Sequence, residues 1–543
     1  MASSSFDLVI VGGGVSGACI ARDAAMRGLS VALVEQNDFA QGTTSASSKL
    51  IHGGLRYLKT LELSLVRESL RERRIWEIVA PHMVHPLPTM IPAYRRRGSP
   101  SKFVLRAGLT LYDLLAYDRN RLADEDKKLP RHRVLDAERA LQLEPSLPAE
   151  ELSGALVYYD CQMHSPERLC LEILLDAAER GAMLANYAKV TGFVFEGDCV
   201  RGVEVVDRTS GERMVVRGRL VINASGPWAD RLLTRLPGSR AQAQLVRSKG
   251  IHIITRALTV EHAIVVEHRG AHFFLLPWRG HALIGTTDTV FADEPDAFAV
   301  TEADIEAFLA TINEGYPTVS LTRDDVRFFY GGMRPLVETP ELTETYEASR
   351  RSEVIDHAQS DGVGGLLSVL GGKWTTSRHL AQRVLEHVEA KLETSLPPCE
   401  TAHTPLPGGR MERFAEYRQQ MLNAHAQLEP EVVGNLVAEY GTMLPRVLAH
   451  AETDSTLLER LGPSVPDVRA QIVHAVRQEM AHTVADVIFR RTGIGTLGDP
   501  GDAVLERVAD TMGDLLGWDA AERARQIAEA RRTFIPAPAR EPR

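Results

Sequence analysis

The order of apolar and polar positions divides this chain into strands, helices and turns. Leu8 to Val11 is an unbroken apolar run, the pattern of a strand buried on both faces of a parallel sheet. Ser16 to Arg27 reads as a helix, with Ala18, Ala21, Ala24 and Ala25 small enough for close packing on a sheet. Ser30 to Val34 is a second buried strand. Leu61 to Pro92 is predicted helical on Leu65, Ile75, Ile78 and Val79. Asn120 to Pro148 reads as a loop with a short helix. Ser165 to Arg180 is amphipathic, with Leu169, Ile173, Leu174 and Ala177 on one face. From Val190 to Arg217 the period falls to two. Turns at Gly197-Asp198 and Ser210-Gly211 predict a three-stranded meander, and Leu220 to Asn223 predicts a further buried strand. His252 to Tyr330 is strand-rich and predicts an antiparallel sheet. Leu366 to Leu370 is another apolar strand, followed by a helix through Val388. Leu396 to Gly409 is a proline- and glycine-rich linker. Beyond it the pattern is helical to about Arg532. Glu479 to Arg491 carries an apolar stripe of Met480, Val484, Val487 and Ile488, and the tail IPAPAREPR is expected to be disordered.

The first strand runs into Gly12, Gly14 and Gly17, spaced G-x-G-x-x-G, and the second ends at Glu35. Gly12 permits the tight turn, Gly14 lets backbone approach a pyrophosphate, and Gly17 lets the helix lie against the strand. The helix start, with Ser16, offers N–H groups and a positive dipole end to phosphate. Glu35 can accept hydrogen bonds from an adenosine ribose. Strand, triad, helix, strand and terminal acid together mark an adenine-dinucleotide site. The hydroxyl-rich stretch Gln41 to Ser48, containing Thr43, Thr44, Ser45 and Ser48, leads into Lys49, His52 and the Gly53-Gly54 pair. It can present donors to anionic oxygens or lie flat on a ring, or serve as a surface loop. Two later strand ends have similar character: NASGPW, with Ala224, Gly226 and Trp228, and GGKWTT, with Gly371, Gly372, Lys373, Trp374 and Thr375.

Composition narrows the class. The 543 residues suffice for two or three domains, and 44% hydrophobic with 25% charged is ordinary for a globular chain. A net charge of −10 argues against general nucleic-acid binding. The five cysteines, Cys19, Cys161, Cys170, Cys199 and Cys399, form no C-x-x-C pair, so a reducing compartment is expected, with neither disulfide framework nor metal site. MASSS shows no signal pattern, and no apolar run is long enough to span a bilayer. One segment is unbalanced. Arg95 to Leu115 carries Arg95, Arg96, Arg97 and Lys102, then Phe103, Leu105, Leu109, Leu111, Leu114 and Leu115. It reads either as a core-packed helix with a solvated basic cap or as a segment lying on an anionic membrane surface.

SSKLIHGGLRYL (Ser47 to Leu58), NASGPWAD (Asn223 to Asp230), GGMRPL, LSVLGGKWTT and the late RRTGIG (Arg490 to Gly495) resemble the FAD-dependent glycerol-3-phosphate dehydrogenases, in order over nearly the whole chain. These are relatives of the D-amino-acid-oxidase-like flavoenzymes. The calcium-binding extension of mitochondrial members is missing, so the resemblance is to the bacterial form. It implies an α/β fold with a Rossmann-like FAD-binding domain, an antiparallel-sheet substrate domain and an all-helical C-terminal domain. The FAD parts are expected at about 1–60, 150–235 and 360–395, and the cap parts at 61–149 and 236–359. A linker at 401–409, helices at 410–535 and a tail at 536–543 complete the expectation. The resemblance further implies glycerol 3-phosphate as substrate, a membrane quinone as acceptor, peripheral attachment to the inner face of the cytoplasmic membrane, and a homodimer. An oxidase passing electrons to oxygen and a non-catalytic flavoprotein scaffold are the competing readings. Arg56, Arg334 and Arg351, with the Tyr57 hydroxyl, are the implied phosphate ligands, because arginine forks suit phosphate. His252 is the implied base, with His52 the alternative. Lys373 is placed near the flavin N1.

Overall fold

The computed structural model describes residue 1 and residues 4–95, 101–236, 245–337 and 352–538. In chain order the elements used below start with β1 (Ser5–Val11), α1 (Val15–Met26), β2 (Val31–Val34), α2 (Leu63–Val79), β3 (Val84–Tyr94) and α3 (Lys102–Leu115). Next come β4 (Leu152–Met163), α4 (Pro166–Glu179), β5 (Met183–Ala185), β6 (Ala188–Glu196), β7 (Cys199–Asp207), β8 (Arg213–Asn223) and β9 (Leu245–Arg256). They are followed by β10 (Ala263–His268), β11 (Ala271–Trp278), β12 (His281–Gly285), α5 (Glu302–Gly315), β13 (Phe328–Val337), β14 (Glu353–Asp356), β15 (Leu366–Leu370) and α6 (Ser377–Leu392). The C-terminal part is helical, from α7 (Phe414–Ala424) and α8 (Pro430–Tyr440) through α9 (Arg469–Gln478) to α10 (Asp502–Leu516) and α11 (Ala520–Arg532), with one small hairpin, Arg460–Gly462 with Val465–Val468.

The apolar runs build the first sheet, ordered β14-β15-β8-β1-β2-β5, parallel from β15 to β5. Leu8, Ile10 and Leu33 are fully buried, each worth about 1.5–3 kcal/mol of transfer energy. The register decides where the site lies. Val11 pairs with Val34 and with Asn223, and Asn223 pairs with Ser368. The turns after β1, β2, β8 and β15 therefore open at one carboxyl edge, where α/β sheets bind ligands. The second sheet runs β9-β12-β11-β10-β3-β4, with β13 paired along β9. It stands over that edge.

Five local expectations change. Leu61 to Pro92 is not one helix: α2 ends at Val79 and Val84–Tyr94 is a strand. Pro86, Pro88 and Pro92 share one parity, so their missing N–H groups face one edge of the strand, where β10 pairs only at Thr89 and Met90. The meander's third strand and the run to Asn223 are a single strand, β8, antiparallel to β7 and then parallel to β1. Within the strand-rich region α5 is helical, started by a capping box of Thr301 and Asp304. Glu479–Arg491 is also broken. After α9 a short helix at Val484–Asp486 runs into a π-turn at Val487–Arg491. Part of the predicted tail is docked, since Ala537 N–H donates to Val300 O; residues 539–543 lie outside the described residues.

Candidate active site

A cavity of about 1210 Å³ runs between the two sheets. At one end is the glycine turn. Gly12 has φ +116°, and a Cβ there would sit 2.5 Å from Ala224 O, so the turn admits only glycine. No side chain at the Gly14 N-cap position closes the start of α1, although Thr44 Oγ1 accepts from Val15 N–H. The Glu35 carboxylate accepts from Gly13 N–H at 2.7 Å and Asn37 N–H at 2.9 Å. Burial pushes it above the usual carboxylate range. Thr43, Ser48, Ala224, Gly226, Trp228, Gly371, Gly372, Trp374 and Thr375 line the same cavity, as do Gly14, Ser16 and Thr44.

The middle of the cavity is set by strand register. Ser248 opposes Arg334 and His252 opposes Tyr330 across β9 and β13, so all four project from one face. The His252 ring stacks on Tyr330, with centroids 4.9 Å apart and 12° between planes. Its Nε2 lies 2.8 Å from Ser48 Oγ, while Nδ1 is buried with no hydrogen-bond partner among the described residues. A Cβ at Gly285 would come within 2.0 Å of the ring, so glycine makes the room. Burial, then the Arg334 and Lys49 charges, hold His252 well below the ordinary imidazole range. Arg334 donates to Ser248 Oγ at 2.9 Å, Thr286 Oγ1 at 2.7 Å and Thr287 O at 3.0 Å, with Asp288 Oδ1 3.5 Å away.

A third corner is cationic. Lys373 Nζ donates to Ser69 Oγ at 2.6 Å and lies 4.5 Å over the Tyr57 ring, and the Arg56 guanidinium is 5.6 Å from the same ring. Gly54 and His52 border it, and the His52 N–H donates to Thr375 Oγ1.

Three sequence-derived residues stand elsewhere, and one cannot be placed. Lys49 has φ +57°, which turns its side chain away from the cavity into a buried ion pair with Glu167 at 2.8 Å, beneath Trp278 and Tyr330. Ser45 bonds back to the Gln41 and Gly42 carbonyls. Gly17 packs on Gly12 O rather than lining the cavity. Arg351 lies outside the described residues. Sequence reasoning missed Ser248, Thr286, Asp288 and Tyr330. The small, hydroxylated strand end GTTD, Gly285 to Asp288, was the available signal for two of them.

Residues 7–378 match the FAD dependent oxidoreductase family, and residues 399–523 match the C-terminal domain of alpha-glycerophosphate oxidase. A glycerol-3-phosphate dehydrogenase of Synechocystis is 37% identical over 97% of this chain and 95% of its own length. The chain belongs to the glycerol-3-phosphate dehydrogenase family of FAD-dependent oxidoreductases. An aerobic glycerol-3-phosphate dehydrogenase of Staphylococcus saprophyticus is 33% identical over 94% of this chain and 91% of its own. The glycerol-3-phosphate dehydrogenase of Bacillus halodurans, solved complexed with FAD, is similar at 28% identity and a TM-score of 0.77, covering 98% of this chain and 95% of that one. The family matched over residues 7–378 is FAD-dependent, so the cofactor is FAD, and the residues present fit it. The glycine turn, Glu35 and the hydroxyls of the Thr43–Ser48 loop suit the dinucleotide, and the cavity exceeds the roughly 300–1,000 Å³ of ordinary small-molecule sites.

The depressed His252 carries a pH prediction. Between its folded pKa and 6.5 the unfolded chain binds a proton that the folded chain does not, so stability falls as pH drops below 6.5. His252→Gln is expected to reduce this acid sensitivity by up to one proton, about 1.4 kcal/mol per pH unit. Melting temperatures of both proteins from pH 7.5 to 5 check it; parallel curves would refute it.

Proposed function

We propose that the chain oxidises sn-glycerol 3-phosphate to dihydroxyacetone phosphate and passes the electrons to a membrane quinone. The supporting observation is the convergence, in one cavity, of a buried imidazole beside Arg334 with a cationic corner at Arg56, Tyr57 and Lys373. FAD supplies the acceptor for the C2 hydride. The protein's part is to bind, orient and deprotonate. His252 Nε2, 2.8 Å from Ser48 Oγ on the cavity wall, takes the C2 hydroxyl proton, because Nδ1 is fully enclosed. Tyr330 fixes the ring by stacking, and burial, helped by the Arg334 charge, keeps the base neutral until the proton arrives. Arg56, Arg334 and Arg351, with the Tyr57 hydroxyl, meet the phosphate dianion, and Lys373 would offset negative charge near the flavin N1. His52 is the second choice of base.

A steady-state assay with glycerol 3-phosphate tests this, run with and without oxygen and a quinone analogue. Quinone-dependent turnover under anaerobic conditions is expected. Peroxide formation without need of quinone would make the chain an oxidase, and no turnover with bound FAD would leave a scaffold.

The membrane part of the proposal rests on α3. Leu109 and Tyr112 are buried and anchor the helix, whereas Phe103, Val104, Leu114 and Tyr117 are 81%, 59%, 67% and 67% exposed. So Leu109 is core, and the apolar face lies on the other side. Among the described residues no helix is long and apolar enough to cross a membrane. Arg106 of α3 and Arg95, shortly before it in the chain, are exposed, and Lys102 opens the helix. Arg96 and Arg97 fall outside the described residues. Each basic residue near an anionic surface contributes about 1 kcal/mol. Reversing Arg95, Arg96 and Arg97 to glutamate, together with Phe103→Ser and Leu114→Ser, is expected to release the enzyme from anionic vesicles at low salt. Turnover with a soluble dye should stay unchanged. Undiminished vesicle binding would exclude this face as the anchor. The remaining expected partner is a second copy of the chain.

A further inference from the structure

Asp38 lies three residues past Glu35, completely buried, in the loop that covers the glycine turn. Its carboxylate is enclosed by arginines from the far end of the chain. Arg491 is bidentate, Nη1 donating to Oδ2 at 2.6 Å and Nη2 to Oδ1 at 2.9 Å. Arg490 Nε donates to Oδ2 as well, and Asn186 Nδ2 to Oδ1 at 3.1 Å. Burial alone would raise this carboxyl, but Arg491 and Arg490 override it and hold Asp38 well below the usual range.

Both arginines sit at the end of the π-turn Val487–Arg491. A widened turn of this kind is costly and often marks a functional position. The arginines are themselves fixed. Arg490 Nη2 donates to Asp486 Oδ1 at 2.6 Å and Arg491 Nη2 to Glu479 O at 2.8 Å. Glu479 is in turn paired with Arg168 of α4 at 2.9 Å.

The loop that Asp38 anchors touches the nucleotide end of the cavity throughout. Asn37 N–H donates to the Glu35 carboxylate, Ala40 N–H donates to Gly13 O at 3.0 Å, and Phe39 packs on Gly13. Thr44 closes the run, accepting from Val15 N–H through its hydroxyl and from Trp374 Nε1 through its carbonyl. Moving Asp38 by an ångström therefore moves Glu35 and the glycine turn together.

We propose that Arg490 and Arg491 of the helical C-terminal domain are positioning residues for the cofactor site. Through Asp38 they hold Glu35 and the Gln36–Thr44 loop in the shape that binds FAD. The two arginines also balance a carboxylate that would otherwise stand uncompensated near Glu35. Coupling of this kind is reciprocal: FAD favours the docked C-terminal domain by the same factor that docking favours FAD.

The test uses the full-length chain, stripped of FAD and titrated back while flavin fluorescence is followed. Asp38→Asn and Arg491→Lys are compared with wild type; the lysine keeps the charge and loses the planar fork. Each is expected to raise the FAD dissociation constant roughly 10- to 100-fold. Each should also shrink the rise in melting temperature that saturating FAD gives. Coupling through Glu35 is read by combination. Arg491→Lys placed on Glu35→Gln should cost markedly less than on wild type, because the acid it positions is already gone. A dissociation constant within about threefold of wild type for both variants would overturn the proposal, even if the apo-protein melts lower, since the arginines would then only join two parts of the fold. Full additivity with Glu35→Gln would overturn it too. Should Asp38→Asn fail to fold, Arg491→Lys alone decides.

Discussion

Replacing His252 with glutamine is expected to lower kcat/KM for glycerol 3-phosphate by about 10²- to 10⁴-fold while FAD stays bound. Glutamine keeps the size and a donor toward Ser48 but has no basic nitrogen for the hydroxyl proton. The loss should fall mainly on kcat, because the proton moves in the reacting step rather than on binding. His52→Gln is the control, since His52 borders the same cavity. If it costs as much as His252→Gln, and the latter is mild, the base has been misassigned. A flavin spectrum that matches wild type in the variants excludes loss of cofactor as the cause.

What could be seen in advance of the structure follows from how far each interaction reaches along the chain. The glycine triad, its helix and Glu35 are local, and an apolar run ending in glycines declares its strand. The α/β fold with its helical C-terminal domain was legible for the same reason. The proline-bearing strand β3 was not, because its acceptability depends on which neighbour pairs with which edge. Lys49 illustrates the same limit. Its position beside the hydroxyl loop suggested an anion ligand, yet its partner, Glu167, is 118 residues away and decides its direction. Arg490 and Arg491 formed a visible motif whose purpose lay 452 residues upstream at Asp38. The His252 surroundings depend on the β9–β13 register, and no periodicity specifies that Tyr330 and Arg334 fall on the same face as Ser248 and His252.

Arg334→Ala is expected to cost roughly 30- to 150-fold in kcat/KM, the equivalent of losing a charge-assisted contact of about 2–3 kcal/mol. Two physical roles for this arginine make different secondary predictions. As a phosphate ligand, it should matter little for glycerol, which lacks the phosphate and is expected to be a poor substrate of the wild-type enzyme. As a neighbour of the base, it should matter for both substrates and should alter the pH profile. Its charge disfavours the imidazolium, so removing it raises the pKa of His252 and moves the acidic limb of kcat/KM to higher pH. Burial, and Lys49 behind Tyr330, continue to oppose that rise, so the shift is partial. The structure also makes Arg334 the counter-charge of Asp288, 3.5 Å away. Alanine therefore leaves a carboxylate in the cavity facing the incoming dianion, which weakens phosphate binding beyond the lost contact. Asp288→Asn in the Arg334→Ala background should recover part of the KM for glycerol 3-phosphate and none of it for glycerol. If both substrates lose equally and the acidic limb stays in place, Arg334 holds the strand end Gly285 to Asp288 in shape and neither binds phosphate nor tunes the base.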